Sequence, residues 1–412
     1  MIGWCEKLTL TRKQEEGLRI AVERWRNGEK YTVIGGFAGA GKSTLIKFII
    51  AAMGLSDEEV RYAAYTGKAA NVLKNKGCPG ATTVHKLIYH ARLQSSGKYR
   101  FIPKTPGEIR MEGIKVVVID EVSMLPTKMW NLLCSYPFYI IAAGDPEQLP
   151  PIMESSKEDP NNHVLDNPHI FLDEIMRQAQ ESEIIRLSMH IREGKSLNSF
   201  PCVNEQVMLI DKRAVNNDVL KWADQILCAT NRTKVEFNKR LRQAYGFQDA
   251  PQLNDKVINL HNEWDISSTI GNPLTNGIIG NIKSMSYDIW EYPGFIREKT
   301  GKISVPILWL TISGDEPDEE FQELPFDYSE LVSGNSSLSP REEYLVLTKL
   351  KQSVPLHGNF GYAVTVWKAQ GSEWDKVLLY PERSWPRDTT ERRKFLYTGV
   401  TRARQKLVVA KE

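Results

Sequence analysis

Apolar residues along the first third of the chain arrive in short runs separated by amphipathic stretches. Tyr31–Ile34, Arg61–Tyr65, Val116–Ile119 and Tyr139–Ala143 read as buried strands. Gln14–Arg26, Lys42–Met53 and Lys68–Asn75 carry the wider spacing of helices. Strands alternating with helices predict a parallel sheet covered on both faces. Between His90 and Met111 the rhythm breaks. Two alternating segments flank Ser95-Ser96-Gly97, which predicts a hairpin rich in basic and aromatic groups, Tyr99 among them. From Leu172 to Tyr245 the pattern is mostly helical, with one buried strand ending at Thr230. From Asp255 to Lys349 short runs alternate with Gly, Pro and Asn turns. Lys256–Leu260, Ile278–Ser284, Ile303–Ile312 and Tyr344–Leu350 predict a small β-barrel inserted into an α/β domain. The acidic run Gly314–Glu320 within it reads as a solvated connector. Strands at Val377–Tyr380 and Leu407–Ala410, with a helix and its flanking turn in Arg392–Arg404, return the chain to α/β character.

Length and composition narrow the class. A chain of 412 residues with 41% hydrophobic and 25% charged residues is a soluble protein of two to four domains. Its net charge of +2 confines any nucleic-acid contact to a local basic groove. Five isolated cysteines, at positions 5, 78, 134, 202 and 228, form no CxxC pair and argue against zinc ribbons and disulfides. No apolar stretch is long enough to span a bilayer, so a cytoplasmic protein is expected.

The chemistry begins at Gly36-Phe37-Ala38-Gly39-Ala40-Gly41-Lys42-Ser43, which spells GxxxxGKS between a strand and a helix. Glycines admit phosphate oxygens to backbone N–H groups, and the helix start adds its partial positive charge. Lys42 brings a full charge, Ser43 a hydroxyl for magnesium, and Thr44 follows at the helix start. Asp120-Glu121 ends the Val116–Ile119 run. The aspartate suits a magnesium ion and the glutamate an attacking water. Gln148, in Gly144-Asp145-Pro146-Glu147-Gln148-Leu149-Pro150-Pro151, can reach a γ-phosphate. Gln14, in Leu10-Thr11-Arg12-Lys13-Gln14, carries an amide able to donate to and accept from adenine. Arg177 and Arg402 are the candidates for charge stabilisation from across a cleft. ATP and Mg2+ are therefore the expected ligands.

These strings occur in a telling order. After the phosphate loop come Tyr65-Thr66-Gly67-Lys68-Ala69-Ala70, Thr83-Val84-His85, Asp120-Glu121-Val122-Ser123-Met124 and the Gly144–Pro151 string. Tyr362–Ser372 and Tyr397-Thr398-Gly399-Val400-Thr401-Arg402 close the series. The chain resembles superfamily 1B DNA helicases of the RecD/Dda type from about Gln14 to Arg404, and its compactness resembles the phage Dda type most. The resemblance implies two RecA-like domains with ATP between them. Residues 1–170 would form the first, with a pin hairpin near 88–112. Residues 171–254 and 351–412 would form the second, and 255–350 an SH3-like insertion. It implies adenine reading by Gln14, with Gly36, Ala38, Gly39, Ala40, Gly41, Lys42, Ser43 and Thr44 around the nucleotide. Asp120 and Glu121 serve catalysis, and Gln148, Arg177 and Arg402 act at the γ-phosphate. Gln370 and Gly371 couple nucleotide to DNA. Thr66, Lys68, His85, Tyr99, Thr230, Thr365, Trp367 and Lys368 are the expected DNA contacts. Trp367 stands where the family usually has histidine, and its indole can stack on a base or pack internally. Single-stranded DNA and duplex forks are the implied partners of a monomeric 5′→3′ motor, with replication or recombination proteins alongside. Two other readings share the phosphate loop. One is a translocase that displaces proteins or serves a larger complex without unwinding alone. The other is a nucleotide switch with no DNA role.

Overall fold

The computed structural model describes residues 9–78, 80–94, 99–150, 163–174, 181–297, 300–382 and 388–411. Helix α1 (Arg12–Arg26) opens with a capping box, in which Thr11 accepts from the Gln14 amide N–H and Gln14 accepts from Thr11. Then follow β1 (Tyr31–Gly36), α2 (Lys42–Met53), β2 (Val60–Ala64), α3 (Gly67–Asn75), β3 (Thr82–Thr83) and α4 (Val84–Ile88). Strands β4 (Tyr89–Leu93) and β5 (Tyr99–Pro103) form the expected antiparallel hairpin, with Leu93 opposite Tyr99. Next come α5 (Pro106–Met111), β6 (Val116–Asp120), α6 (Thr127–Ser135), β7 (Tyr139–Gly144) and β8 (Ile170–Leu172). The first sheet is parallel throughout, in the order β3-β2-β6-β7-β1-β8. Its strands are buried on both faces and so read as unbroken apolar runs. One apolar cluster centred on Leu45, Ile49 and Ile141 covers one face, and another around Val117, Leu133 and Ile140 covers the other.

The second sheet begins after α7 (Glu183–Arg192), with β9 (Val207–Asp211), α8 (Asn217–Trp222), β10 (Gln225–Cys228) and α9 (Asn231–Ala244). Strand β9 was hidden within the helical reading of 172–245. It pairs with the chain's last strand, Val207 facing Leu407, and a four-residue apolar run cannot announce that partner.

The insertion consists of β11 (Lys256–Asn259), β12 (Glu263–Ser267), β13 (Pro273–Leu274), β14 (Ile279–Pro293), β15 (Lys302–Ser313), β16 (Glu320–Asp327), α10 (Tyr328–Ser333), α11 (Pro340–Leu345) and β17 (Gly358–Phe360). Its main sheet is antiparallel, in the order β16-β15-β14-β11-β17, so it reaches past the expected limit at 350. A bridge between Phe326 and Leu356 brings its two edges together. Strands β14 and β15 form a ribbon much longer than the alternating runs predicted. The strand predicted at Tyr344–Leu350 is helical instead. Ser339 and Glu342 make a capping box with Pro340 at the helix start, and a π-helical turn continues over Val346–Leu350. There Leu345, Val346 and Leu350 pack against Tyr292, Ile303 and Val305.

Strands β18 (Ala363–Thr365), β19 (Trp374–Tyr380) and β20 (Ala403–Lys411), with α12 (Thr389–Val400), complete the second sheet. It too is parallel, in the order β18-β10-β19-β20-β9. The insertion shares one core with it, from Leu220, Ile226 and Leu378 to Leu310, Phe321 and Phe326. Arg242 and Asp255 fasten the entry to the insertion at 3.0 Å, and the Tyr362 hydroxyl donates to the same carboxylate at 2.8 Å. The architecture is two RecA-like parallel-sheet domains carrying an antiparallel insertion and a hairpin. Among the described residues no helix is long and apolar enough to cross a membrane.

Candidate nucleotide cleft and DNA-facing surface

The phosphate loop joins β1 to α2 at the carboxyl end of the first sheet, where open α/β sheets bind ligands. Gly39 and Gly41 take the left-handed backbone, with φ of 77° and 79°. Side chains rarely tolerate that conformation, which here turns the loop around the helix start. Lys42 lies back over the loop, donating to Gly36 O at 2.7 Å and Phe37 O at 3.1 Å. Its ammonium thus hovers over the concavity that an anion would fill. Ser43 is exposed and Thr44 half-buried at the first turn of α2, and Ala40 is buried beneath them. Gln14 engages Thr11 N–H with its oxygen and Gly41 O with its nitrogen. One N–H and one lone pair of that amide remain for a base.

Asp120 ends β6 beside the loop. Burial, and then the neighbouring Glu121 charge, push its carboxyl up to about 6, while Lys42 pulls the other way. Glu121 sits at φ 53°, a left-handed backbone uncommon outside glycine and a strained position found at functional sites. Among the described residues no cluster of three or more His, Cys, Asp or Glu could hold a metal unaided. A half-buried carboxylate, an exposed serine hydroxyl and an anion cradle suit magnesium, which takes most of its oxygens from phosphate and water.

The turn after β7 forms the far wall. Asp145 is fully buried, and burial pushes its carboxyl up. Its Oδ1 accepts from Glu147 N at 3.0 Å. The buried Gln148 presents an Oε1 that has no hydrogen-bond partner and can accept from a water, whereas its amide N–H groups are the ones able to donate to a γ-phosphate.

The second domain closes on this wall. Gln370 Nε2 donates to Leu149 O at 2.7 Å, and Leu149 N donates to Thr398 Oγ1 at 3.0 Å. The Tyr397 hydroxyl donates to Asp145 Oδ2 at 2.6 Å and accepts from Ala38 N at 3.1 Å. Arg393 pairs with Glu147 at 3.3 Å. The Arg192 guanidinium stacks 3.6 Å from the Phe37 ring centre, with its Nη1 buried and unpartnered. Arg402 is buried in its own domain, held by Thr398 O, Ser372 O and Thr401 Oγ1. Arg177 lies outside the described residues. Tyr397, Thr398 and Asp145 stood inside conspicuous strings without an assigned task, because no spacing says which atoms meet across a cleft. Arg192 carried no signal in the sequence.

The expected DNA contacts fall into two groups. Thr66 caps α3, accepting from Ala69 N, and His85 sits in an aromatic strip with Tyr65, Tyr89 and Phe101, its neighbours at 5.2–6.0 Å. Burial holds the His85 imidazole below its usual pKa, which keeps it neutral. Thr365 and Lys368 follow β18, where Thr365 accepts from Lys368 N and Lys368 reaches Asn276 of the insertion. Burial pulls the Lys368 ammonium down to about 8. Gly371, at φ 76°, abuts α3 so closely that a Cβ would stand 2.8 Å from that of Ala69. The second group is engaged internally. Trp367 packs against Phe395 at 5.8 Å. The Thr230 hydroxyl and N–H are held by Glu382. Lys68 is buried and paired with Asp315. The acidic run is exposed over residues 315–318, as a solvated connector would be, but it is anchored at one end. Glu319 is buried, bonded to Asn272 and to the amides of Asp315 and Glu316.

Comparison with known proteins agrees with this architecture. The model of the AAA domain matches residues 9–211, and that of the UvrD-like helicase C-terminal domain matches 360–410. An uncharacterized protein, R530, of Acanthamoeba polyphaga mimivirus is 33% identical over 37% of the chain and 35% of its own length. The ATP-dependent RecD2 DNA helicase of Deinococcus radiodurans is 24% identical over 93% of the chain and 47% of its own length. The chain therefore spans about a third and about a half of these two relatives. The ATP-dependent DNA helicase dda of Enterobacteria phage T4 is 26% identical over 96% of this chain and 98% of its own. In fold, the crystal structure of Bacteroides Pif1 bound to ssDNA superposes with a TM-score of 0.56 at 16% identity, covering 98% of this chain and 93% of that one. With the AAA-domain model over its first half, the UvrD-like helicase C-terminal model near its end and relatives matched along nearly all its length, the chain is similar to ATP-dependent DNA helicases of the RecD2 and dda kind.

Proposed function

We propose that this chain is an ATP-dependent DNA helicase that moves 5′→3′ on single-stranded DNA and separates the duplex at a fork. The observation that carries this reading is the grip of the second domain on both ends of the Asp145–Leu149 turn, through Tyr397, Thr398 and Gln370. A nucleotide between the domains is thereby linked to their separation.

Lys42, Ser43 and the loop amides would hold the phosphates, and Asp120 with Ser43 would hold magnesium, which supplies charge neutralisation at the phosphoryl oxygens. Glu121 orients and deprotonates water. Gln148 senses the γ-phosphate with its amide, and Arg402 and Arg177 belong to the opposite wall. Gln14 reads the adenine edge. Closure favoured by these contacts is lost on phosphate release, so the cleft reopens each cycle. Thr66, His85, Thr365 and Lys368 line the path of the strand, with Gly371 letting the two domains meet beside it. Phosphate contacts and stacking on the Tyr65–His85–Phe101 strip bind without reading sequence.

We assign the chain through β8 to the first motor domain, the segments from there to 254 and from 361 onward to the second, and 255–360 to the insertion, with β17 as its outer edge. We take the hairpin of β4 and β5 as the pin that divides the strands, since its Tyr89 and Phe101 form part of the aromatic strip with His85. The test is ATP-dependent unwinding of two partial duplexes, one tailed at 5′ and one at 3′. Unwinding of the 5′-tailed duplex alone is expected. Unwinding from the 3′ tail alone would overturn the direction. DNA-stimulated hydrolysis without unwinding would favour a translocase.

A further inference from the structure

Tyr397 joins three parts of the machine. Its hydroxyl takes the Ala38 N–H of the phosphate loop at 3.1 Å. It gives its own proton to Asp145 Oδ2 at 2.6 Å, a short bond of the charge-assisted kind. The ring comes from α12 in the second domain, while both partners belong to the first. The phenol and the carboxylate are both buried, Tyr397 being 1% exposed and Asp145 0%. The same carboxylate caps the turn through Glu147 N, and that turn carries Gln148 with its orphaned Oε1. The next residue along α12, Thr398, holds the other end of the turn at Leu149 N. The charges of Lys42 and Glu121 reach Asp145, and that of Arg192 reaches Tyr397.

We propose that Tyr397 is a positioning residue whose hydroxyl sets the register of the second domain against the phosphate loop and the Gln148 turn, so that cleft closure and γ-phosphate sensing occur together. A rigid phenol shared between a loop amide and a buried carboxylate tolerates little sliding. Opening the cleft by even an ångström or two breaks both bonds and leaves a buried carboxylate without its donor. The domains therefore have a discrete closed state rather than a range of closures. This assignment rests on the helicase reading above, and deepens it.

The experiment uses the full chain with Tyr397→Phe, which keeps the ring and removes the hydroxyl. Two readouts are taken on oligothymidylate: ATP hydrolysis with its kcat and KM, and strand affinity with a non-hydrolysable ATP analogue against ADP. The expected result is a kcat lower by about 10- to 100-fold, the value of one hydrogen bond to a charged group, with KM nearly unchanged. The ratio of the two strand affinities should collapse toward one. A role in packing alone would lower the melting temperature and leave that ratio as in the parent. A parent-like kcat and ratio in Tyr397→Phe overturn the proposal. If that variant does not fold, Asp145→Asn is read in the same way, since its amide is a weaker acceptor for the same hydroxyl. Failure of DNA to stimulate the parent's hydrolysis overturns the helicase reading, and this proposal with it.

Discussion

Lys68 on α3 and Asp315 in the acidic turn form an ion pair of 3.3 Å between the first motor domain and the insertion. The pair is supported on both sides. Asn75 donates to Glu316 at 2.7 Å, and Lys74 to Gly271 O at 3.2 Å. Glu319 holds the turn in shape from beneath. A lysine expected to contact DNA is thus paired with a carboxylate of its own chain. The lysine side chain is 8% exposed but that of Asp315 is 35% exposed, so the pair is partly screened by solvent.

Replacing Asp315 with Asn frees that ammonium. Affinity for single-stranded DNA should rise about two- to fivefold at low salt, the worth of one ion pair of roughly 0.5–1 kcal/mol. The gain should shrink as salt increases. Fluorescence anisotropy of a labelled oligonucleotide across a salt series measures it. An unchanged affinity would show that Lys68 does not meet the strand.

Lys42 bears the only full positive charge within the GxxxxGKS string. Lys42→Ala should lower hydrolysis by about 10²–10³-fold, as loss of a preorganised electrostatic donor does elsewhere. Strand binding should persist, because the DNA-facing groups lie on other elements. Phosphate release and anisotropy on the same preparation check both halves. Parent-like hydrolysis would sink the phosphate-loop assignment.

Arg242 and Asp255 are both nearly inaccessible, and the guanidinium also donates to Asp249 O and Ala250 O. Removing the carboxylate strands a buried charge. Asp255→Ala should destabilise the second domain by about 3–5 kcal/mol. A lower urea midpoint with an unchanged slope would show the loss as stability alone.

His357 lies between Glu330 at 2.8 Å and Glu343 at 3.0 Å. Burial opposes its charge, but the two carboxylates prevail and hold the imidazolium up to about 10. The folded pKa is above the unfolded one, so the stabilisation is complete below about pH 6.5 and falls as pH rises toward 10. The stability difference between the parent and His357→Gln should therefore narrow steadily across that window. Denaturant titrations at several pH values read it directly. A difference that is constant with pH would mean the histidine is neutral in the folded protein.

Much of the nucleotide site was legible because its parts are local. Glycine geometry, a helix start and a strand end lie within a few residues of one another, so Gly36–Ser43 and Asp120-Glu121 announce themselves. The hairpin announced itself through its turn, and α2 through its periodicity, over the residues Lys42–Met53 that the structure shows. Tyr344–Leu350 misled because its apolar run fits either period, and the deciding signal was the Ser339–Glu342 capping box upstream. Strand β9 escaped because its state depends on Leu407 and Val409, about two hundred residues later.

From the chain alone came a phosphate loop, two stretches of alternating strand and helix, and an interrupting β-rich insert. Each follows from backbone preferences and burial periods that act over a turn or a strand. The tertiary structure alone decided which groups face each other. It set Tyr397 between Ala38 and Asp145, laid Arg192 on Phe37, turned Trp367 inward and gave Lys68 to Asp315. Those pairings depend on how two sheets and an insertion dock. Docking is governed by shape and desolvation summed over whole surfaces, which no local spacing encodes.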